Sequence, residues 1–282
     1  MTAKMACHCS DIRLQAAIMK RIGRSILTVL SALTANTPGH TAAQEKSAAP
    51  RCSLTAFEEV QAVAVRDGRT LVLTDGREVR LWGIETFPAA RAGLQRLAGD
   101  KTLRLEWFAV APGSDAHTDR YGRLVAFAVL SDSGQMLQQA LLSEGAALVS
   151  VRIGNKSCAE TLLAVEREAR EARRGLWADP NFAPLAAENL PQLAAARGHF
   201  ALVEGRVLSV RESGATIYVN FGRRWTRDFT VTVSKRQRRT FAAAGIDLGK
   251  LEGRHIRVRG FIEQRSGPIV EATAPEQIEL IE

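Results

Sequence analysis

The sequence predicts a mainly β protein with helices, divided into two domains. Its 282 residues, 46% of them hydrophobic, are enough to form two ordinary cores. Short alternating or apolar segments separated by turns dominate residues 58–130, and two helical segments follow before residue 178. A second strand-rich stretch occupies residues 200–282. This order indicates a β-barrel with added helices, followed by a second barrel.

The first domain begins with a predicted three-stranded meander. Asp67-Gly68 and Asp75-Gly76 supply the hairpin turns between its strands. A helix is expected next, and then two more strands on either side of a polar loop. The predicted strands are residues 60–66, 70–74, 78–84, 102–108 and 124–130, and the predicted helix is residues 89–98.

Two further helices are predicted at the end of this domain. They cover residues 136–144 and 159–174, and each stops at a glycine, Gly145 and Gly175 respectively. Apolar residues recur at helical spacing along the second of them, which indicates one buried face. Trp177 follows this helix and is expected to pack in the core.

Two motifs carry the chemistry of the first domain. Thr118-Asp119-Arg120-Tyr121-Gly122-Arg123 precedes the strand at 124–130, and Val79-Arg80-Leu81-Trp82-Gly83-Ile84-Glu85-Thr86 lies upstream. Together they resemble the staphylococcal nuclease, or thermonuclease, family over residues 58–178. That family runs a calcium-dependent phosphodiester hydrolysis from one face of a small OB-type barrel.

The resemblance implies a role for each matching residue. Arg80 and Arg123 would be the two catalytic arginines that grip the phosphate, and Tyr121 would help to hold it. Glu85 would stand where the family has a metal-binding aspartate.

The chain departs from the family where hydrolysis would be activated. Arg69 occupies the position of a second metal-binding aspartate, and Thr86-Phe87-Pro88-Ala89 supplies no carboxylate where the family has its general-base glutamate. Residues 147–153 lack the family's catalytic-face tyrosine. An arginine repels calcium, which needs several oxygen ligands. We therefore expect no cofactor, or Ca²⁺ if the site works, and hydrolysis that is lost or weak.

Two interpretations remain open for the charged residues. Arg69, Arg80 and Arg123 could form a phosphate-binding cluster, because guanidinium groups match phosphate oxygens. Each could instead pair with a carboxylate such as Glu85 or Asp119. Glu85 in turn could bind a metal or neutralise Arg69.

The remainder of the chain predicts a linker and a second barrel. Residues 179–199 are rich in proline and alanine and are expected to be the linker. Residues 200–282 are expected to form an OB-like barrel, because strand regions and one helical segment follow in that order. The strand regions are 203–211, 215–221, 228–233, 254–262 and 268–281, and the helical segment is 236–244.

Aromatic and basic residues alternate in this second domain. Tyr218-Val219-Asn220-Phe221-Gly222 and Trp225 with Asp228-Phe229-Thr230 also resemble the C-terminal domain of some bacterial secreted thermonuclease-like proteins. OB barrels bind single strands through a cationic groove and aromatic stacking. Arg224 and Trp225 are therefore predicted to contact substrate, whereas Phe221 and Phe229 are expected to fill the core.

The N-terminus predicts export. Residues 1–44 are interpreted as a targeting segment, in which a basic stretch from Met19, an apolar run and the small residues Thr41-Ala42-Ala43 follow in signal-peptide order. The alternative is an uncleaved, membrane-anchored segment; in the mature protein no membrane span is expected. Residues 45–57 are expected to be a disordered lead-in.

The cysteines agree with a periplasmic or secreted protein. Cys52 and Cys158 would remain after cleavage, and two cysteines in an oxidising compartment are expected to form a disulfide. No His or Cys partner lies at metal-ligand spacing from them, so a zinc site is not expected.

Charge completes the functional prediction. The chain has 38 Lys and Arg against 30 Asp and Glu, and its net charge of +8 favours polyanionic partners. We expect an exported protein that binds nucleic acid, as single-stranded DNA or RNA, or polyphosphate through its retained arginines. One alternative is an active calcium-dependent nuclease with a site rearranged around Glu85. The other is a non-enzymatic envelope module that binds proteins.

Overall fold

A computed structural model describes residues 52, 54, 56–108 and 117–281. These residues belong to one compact unit. The predicted targeting segment and most of the lead-in lie outside the described residues. No helix among the residues described is long and apolar enough to cross a membrane.

The N-terminal part is a closed five-stranded barrel, which confirms the predicted mainly β fold. Its strands follow the order β1-β2-β3-β6-β5, with β3 and β6 parallel and the other pairs antiparallel. A separate pair, β4 and β7, lies beside it. The strands are β1 Ala56–Asp67, β2 Thr70–Leu73, β3 Glu78–Leu81, β4 Ile84–Thr86, β5 Thr102–Trp107, β6 Leu124–Leu130 and β7 Ala147–Val149.

Three helices cover this barrel: α1 Ala90–Ala98, α2 Leu137–Ser143 and α3 Lys156–Glu171. Helix α3 begins three residues earlier than expected, because the Asn155 side chain caps it by accepting the Cys158 N–H at 3.2 Å. Trp177 is buried beyond its end, as expected.

The predicted disulfide between Cys52 and Cys158 is present. It joins the residues before β1 to the first turn of α3, across 106 residues of sequence. Closing a loop of this length restricts the unfolded chain and stabilises the fold by a few kcal/mol, roughly 2 to 5.

The structure differs from the expected linker at residues 179–199. Strand β8 Leu185–Ala186 pairs with the following strand, and helix α4 Leu190–Ala195 buries Leu193 in the second core. Asn189 caps that helix by accepting the Gln192 N–H at 3.3 Å. Tertiary packing thus orders a segment whose composition indicates a loop.

The C-terminal strands form two sheets, ordered β10-β11-β12-β15-β14 and β16-β13-β9-β8. Strand β10 follows β9 closely along the chain, and β14 follows β13 in the same way. If each of these two pairs is counted as one bent strand, the order of pairing is the same as in the N-terminal barrel. It includes one parallel pair, β12 with β15. The OB-like barrel remains a prediction. The elements are β9 Phe200–Arg206, β10 Ser209–Ser213, β11 Thr216–Asn220, β12 Thr230–Ser234, α5 Arg238–Ala243, β13 His255–Phe261, β14 Glu263–Gln264, β15 Pro268–Ala272 and β16 Ile278–Ile281.

The expected strand at residues 78–84 is divided between β3 and β4, and two of the strand regions expected in the C-terminal part are also divided. Residues 203–211 bend between β9 and β10, and a short 3-10 helix, Pro275–Gln277, interrupts 268–281. Proline begins that helix because its ring supplies no N–H to a strand ladder but fits the first turn of a helix.

A buried ion-pair network joins α3 to β13. Arg259 and Glu166 are both fully buried, and their two hydrogen bonds measure 2.9 and 3.0 Å. Glu166 also accepts from the Val149 N–H at 2.6 Å and from Arg170 Nη1 at 3.1 Å. Arg259 pairs in addition with Glu279. These contacts fix the N-terminal helix layer against the C-terminal sheet.

Candidate phosphate-binding site

Arg80 projects from the outer face of the barrel. In β3 it alternates with buried Val79 and Leu81, which point into the core. It lies opposite Val125 on the parallel strand β6, so it comes close to the start of that strand. Arg123 immediately precedes the same strand. The strand register therefore brings together two arginines that are far apart in sequence.

A cavity of about 230 Å³ lies at this place. The predicted site residues Arg69, Arg80 and Glu85 line it, together with Asp119. From the motif at residues 118–123 only Asp119 is in this lining; Arg123, which pairs with Asp119, is not.

The Arg80 guanidinium is partly buried and has no acidic partner within ion-pair distance in the described part of the chain. Burial lowers its pKa, and the positive charges of Arg69 and Arg123 lower it further, while Glu85 and Asp119 oppose the shift. Arginine still stays protonated, because its ordinary pKa is above 12. The side chain is therefore a cation whose positive charge is incompletely neutralised at the cavity, and an anion would stabilise it.

Arg123 is held by Asp119 within the Asp119–Arg123 turn. Asp119 Oδ2 accepts from Arg123 Nε at 2.8 Å and from Nη2 at 2.6 Å, while Oδ1 accepts the backbone N–H groups of Tyr121 and Arg123. These bonds raise the pKa of Arg123, and they outweigh burial to lower the pKa of Asp119. Gly122 has a φ of +76°, which favours glycine at this turn.

Arg69 and Glu85 neutralise each other. Arg69 Nη1 donates to Glu85 Oε2 and also to the Ile84 carbonyl at 3.0 Å. The other carboxylate oxygen, Oε1, accepts from the Ser150 hydroxyl at 3.0 Å. Of the two interpretations open for Glu85, the structure therefore contains the salt bridge with Arg69.

Calcium fits this arrangement poorly. It needs several oxygen ligands, yet both oxygens of Glu85 already accept hydrogen bonds and a guanidinium lies against one of them. No group of three or more His, Cys, Asp or Glu suited to a metal occurs among the described residues.

The segment between β4 and α1, Phe87-Pro88-Ala89, carries no acid. The Phe87 ring packs edge-on against Phe182 with centroids 4.8 Å apart. The segment between β4 and α1 is thus held by an aromatic contact instead of presenting a carboxylate to the cavity.

The remaining predicted contact residues lie outside the cavity lining. Tyr121 is 66% exposed, and Arg120 and Arg123 lie 4.8 and 5.2 Å from its ring centroid. Arg224 and Trp225 occupy an exposed loop between β11 and β12, where Trp225 is 68% exposed. The neighbouring rings of Phe221 and Phe229 are buried 5.1 Å apart, in agreement with their expected place in the core.

Three lining residues with polar or aromatic side chains were not predicted as site residues: Trp82, Ser150 and Arg152. Ser150 follows β7, which pairs with β4 so that Leu148 lies opposite Glu85. Ser150 and Arg152 are two residues apart, and side chains at this spacing lie on the same side of an extended segment. This spacing was the sequence signal that could have predicted them together.

A comparison with curated proteins gave no match to the chain. Residues 89–179 match the family described as Staphylococcal nuclease homologue. The matched segment includes Asp119, Arg123 and Ser150, whereas β1 to β3, which carry Arg69 and Arg80, precede it. The chain therefore contains a staphylococcal nuclease-like domain.

Proposed function

We propose that this protein binds nucleic acid through phosphate contacts at Arg80 and Arg123, and that its phosphodiester hydrolysis is lost or weak. One observation carries the proposal: Arg80 is partly buried at the cavity without an acidic partner among the described residues. A phosphate oxygen would supply the missing negative charge through a charge-assisted hydrogen bond. Arg123, already oriented by Asp119, would add a second guanidinium donor.

The same geometry supports the proposal that hydrolysis is lost or weak. Arg69 neutralises the carboxylate that would bind a metal, and the segment before α1 carries no general base. Absence of a general base alone typically slows a reaction by about 10²- to 10⁴-fold. Arginines bind and orient a phosphate, but they do not activate the attacking water.

Export to an oxidising compartment belongs to the proposal. The Cys52–Cys158 disulfide supports it, because disulfides persist mainly outside the cytosol. The proposed location is the periplasm or the medium, and the proposed ligand is single-stranded DNA or RNA.

The test compares Arg80→Ala with a matched control, Arg77→Ala. Arg77 is a surface arginine of the same domain that pairs with Glu58 and Asp75 and does not line the cavity. Labelled single-stranded DNA and RNA are titrated with the full chain at several salt concentrations, and cleavage is followed with calcium or a chelator.

Arg80→Ala should weaken binding by about tenfold or more, because a hydrogen bond to a charged group contributes roughly 1.5–3 kcal/mol. Its salt dependence should fall by about one phosphate contact, while the control keeps wild-type affinity. Calcium-dependent cleavage that Arg80→Ala abolishes would instead establish the active nuclease. Binding that is absent, or insensitive to salt, would favour the protein-interaction module.

A further inference from the structure

A second and larger cavity, of about 600 Å³, lies where the N-terminal helix layer meets the C-terminal sheets. Its lining is mostly apolar and includes Trp82, Leu163, Ala244, Ile246 and Pro275. Pockets for small organic groups have this size and character, and they often form between domains.

The large cavity shares two lining residues with the smaller cavity that Arg69 and Arg80 line, which we call the arginine cavity. Trp82 and Arg152 line both. The Trp82 ring is held in place, because its Nε1–H donates to the Ile153 carbonyl at 3.0 Å. Arg152 makes a 3.5 Å contact from Nε to the Thr273 hydroxyl and pairs with no carboxylate among the residues described. The two cavities are therefore neighbours that share Trp82 and Arg152.

The two cavities differ in charge. Compared with the arginine cavity, the large cavity is close to neutral. Lys156 pairs there with Glu160 at 3.8 Å, and Glu276 Oε1 accepts the Ile153 N–H at 3.0 Å. A nucleotide has the matching division, with an anionic phosphate attached to a flat, uncharged base.

We propose that the large cavity binds an unpaired nucleobase of the strand whose phosphate lies at Arg80. This inference rests on the proposed function and adds a base-binding subsite to it. Trp82 would supply the aromatic face, since stacking of bases on aromatic side chains is favourable for every base.

Asn155 offers the base a hydrogen-bond donor. Its Oδ1 accepts from the Cys158 N–H and from the Ser157 hydroxyl, which leaves the Nδ2 amide group facing other partners. Within the described ranges, no hydrogen bond from Nδ2 occurs, and Asn155 lines the cavity. An acceptor on the edge of a base would satisfy it.

The test separates base recognition from phosphate binding. The full chain is titrated, with a chelator present, with a labelled single-stranded oligonucleotide and with an abasic deoxyribose-phosphate strand of equal length. Ala244→Phe fills the cavity, and Ala242→Phe is its control, because Ala242 is exposed on α5 and does not line the cavity. Thr240→Phe, at an exposed lining position, is a second filling variant in case the first does not fold.

The wild-type chain should bind the base-bearing strand on the order of tenfold more tightly than the abasic strand. Filling the cavity should abolish this difference and leave affinity for the abasic strand unchanged, whereas Ala242→Phe should keep the difference. Arg80→Ala should weaken both strands alike. Equal wild-type affinities, or a difference that survives in both filling variants, would overturn the base subsite alone. Failure of the wild-type chain to bind either strand would overturn the proposed function and the subsite with it.

Discussion

Replacing Glu166 by glutamine tests whether the buried ion-pair network holds the N-terminal helix layer to the C-terminal sheet. Glu166 is fully buried and accepts four hydrogen bonds, two of them from Arg259. Burial opposes the charged form of Arg259, but attraction to Glu166 and Glu279 outweighs it and raises the pKa of Arg259. Glutamine removes one negative charge and leaves that guanidinium with Glu279 alone.

The expected cost follows from the burial of the pair. Removing one partner of a buried ion pair lowers the free energy of unfolding by about 3–5 kcal/mol, because the remaining charge loses compensation in a buried place. For a chain of about this size each kcal/mol changes Tm by roughly 2–4 °C, so Glu166→Gln should lower Tm by roughly 6–20 °C.

Thermal unfolding followed by circular dichroism measures this change. Glu168→Gln is the matched control, because Glu168 is exposed on the same helix and its loss of charge should cost little. If the two variants have the same Tm, the network does not hold the two layers together and the reasoning is refuted.

Two more predictions concern the charges of the site and the core. Arg69→Asp should raise calcium affinity above that of the wild-type chain, because it frees Glu85 Oε2 and adds a second carboxylate. Titration calorimetry measures the binding, and no heat above that of wild type would contradict the prediction. Burial disfavours the charged form of Glu279, yet Arg259 and Arg257 hold its pKa below the ordinary value near 4.5. The unfolded state therefore binds more protons below this value, so stability should be fully present above about pH 5 and fall on acidification. Tm measured from pH 3 to 7 checks the fall, which should be shallower in Glu279→Gln; stability that rises on acidification would contradict it.

Local chemistry explains why the elements of the first domain could be predicted. Alternation of apolar residues marked β3, the strand that carries Arg80. The disulfide was also predictable, since Cys52 and Cys158 had no competing partner outside the predicted targeting segment. The strand was predicted from residues close in sequence, and the disulfide was predicted because only one pairing was possible.

Distant contacts explain what could not be predicted. Residues 185–195 resembled a linker by composition, but the ladder between β8 and β9 and burial of Leu193 order them. Glu166 and Arg259 are separated by 93 residues, and nothing in either local sequence distinguishes them from the surface charges nearby.

The sequence by itself determined the positions of most strands and helices, the nuclease-like motifs and the segment without a carboxylate before α1, because these depend on side-chain type and local periodicity. Only the tertiary structure decided which charges meet. Arg69 neutralises Glu85 while Arg80 keeps no acidic partner among the described residues, and Ser150 reaches the same carboxylate from β7. The strength of such contacts depends on distances of a few ångströms between separate strands, and these distances exist only once the barrel has closed.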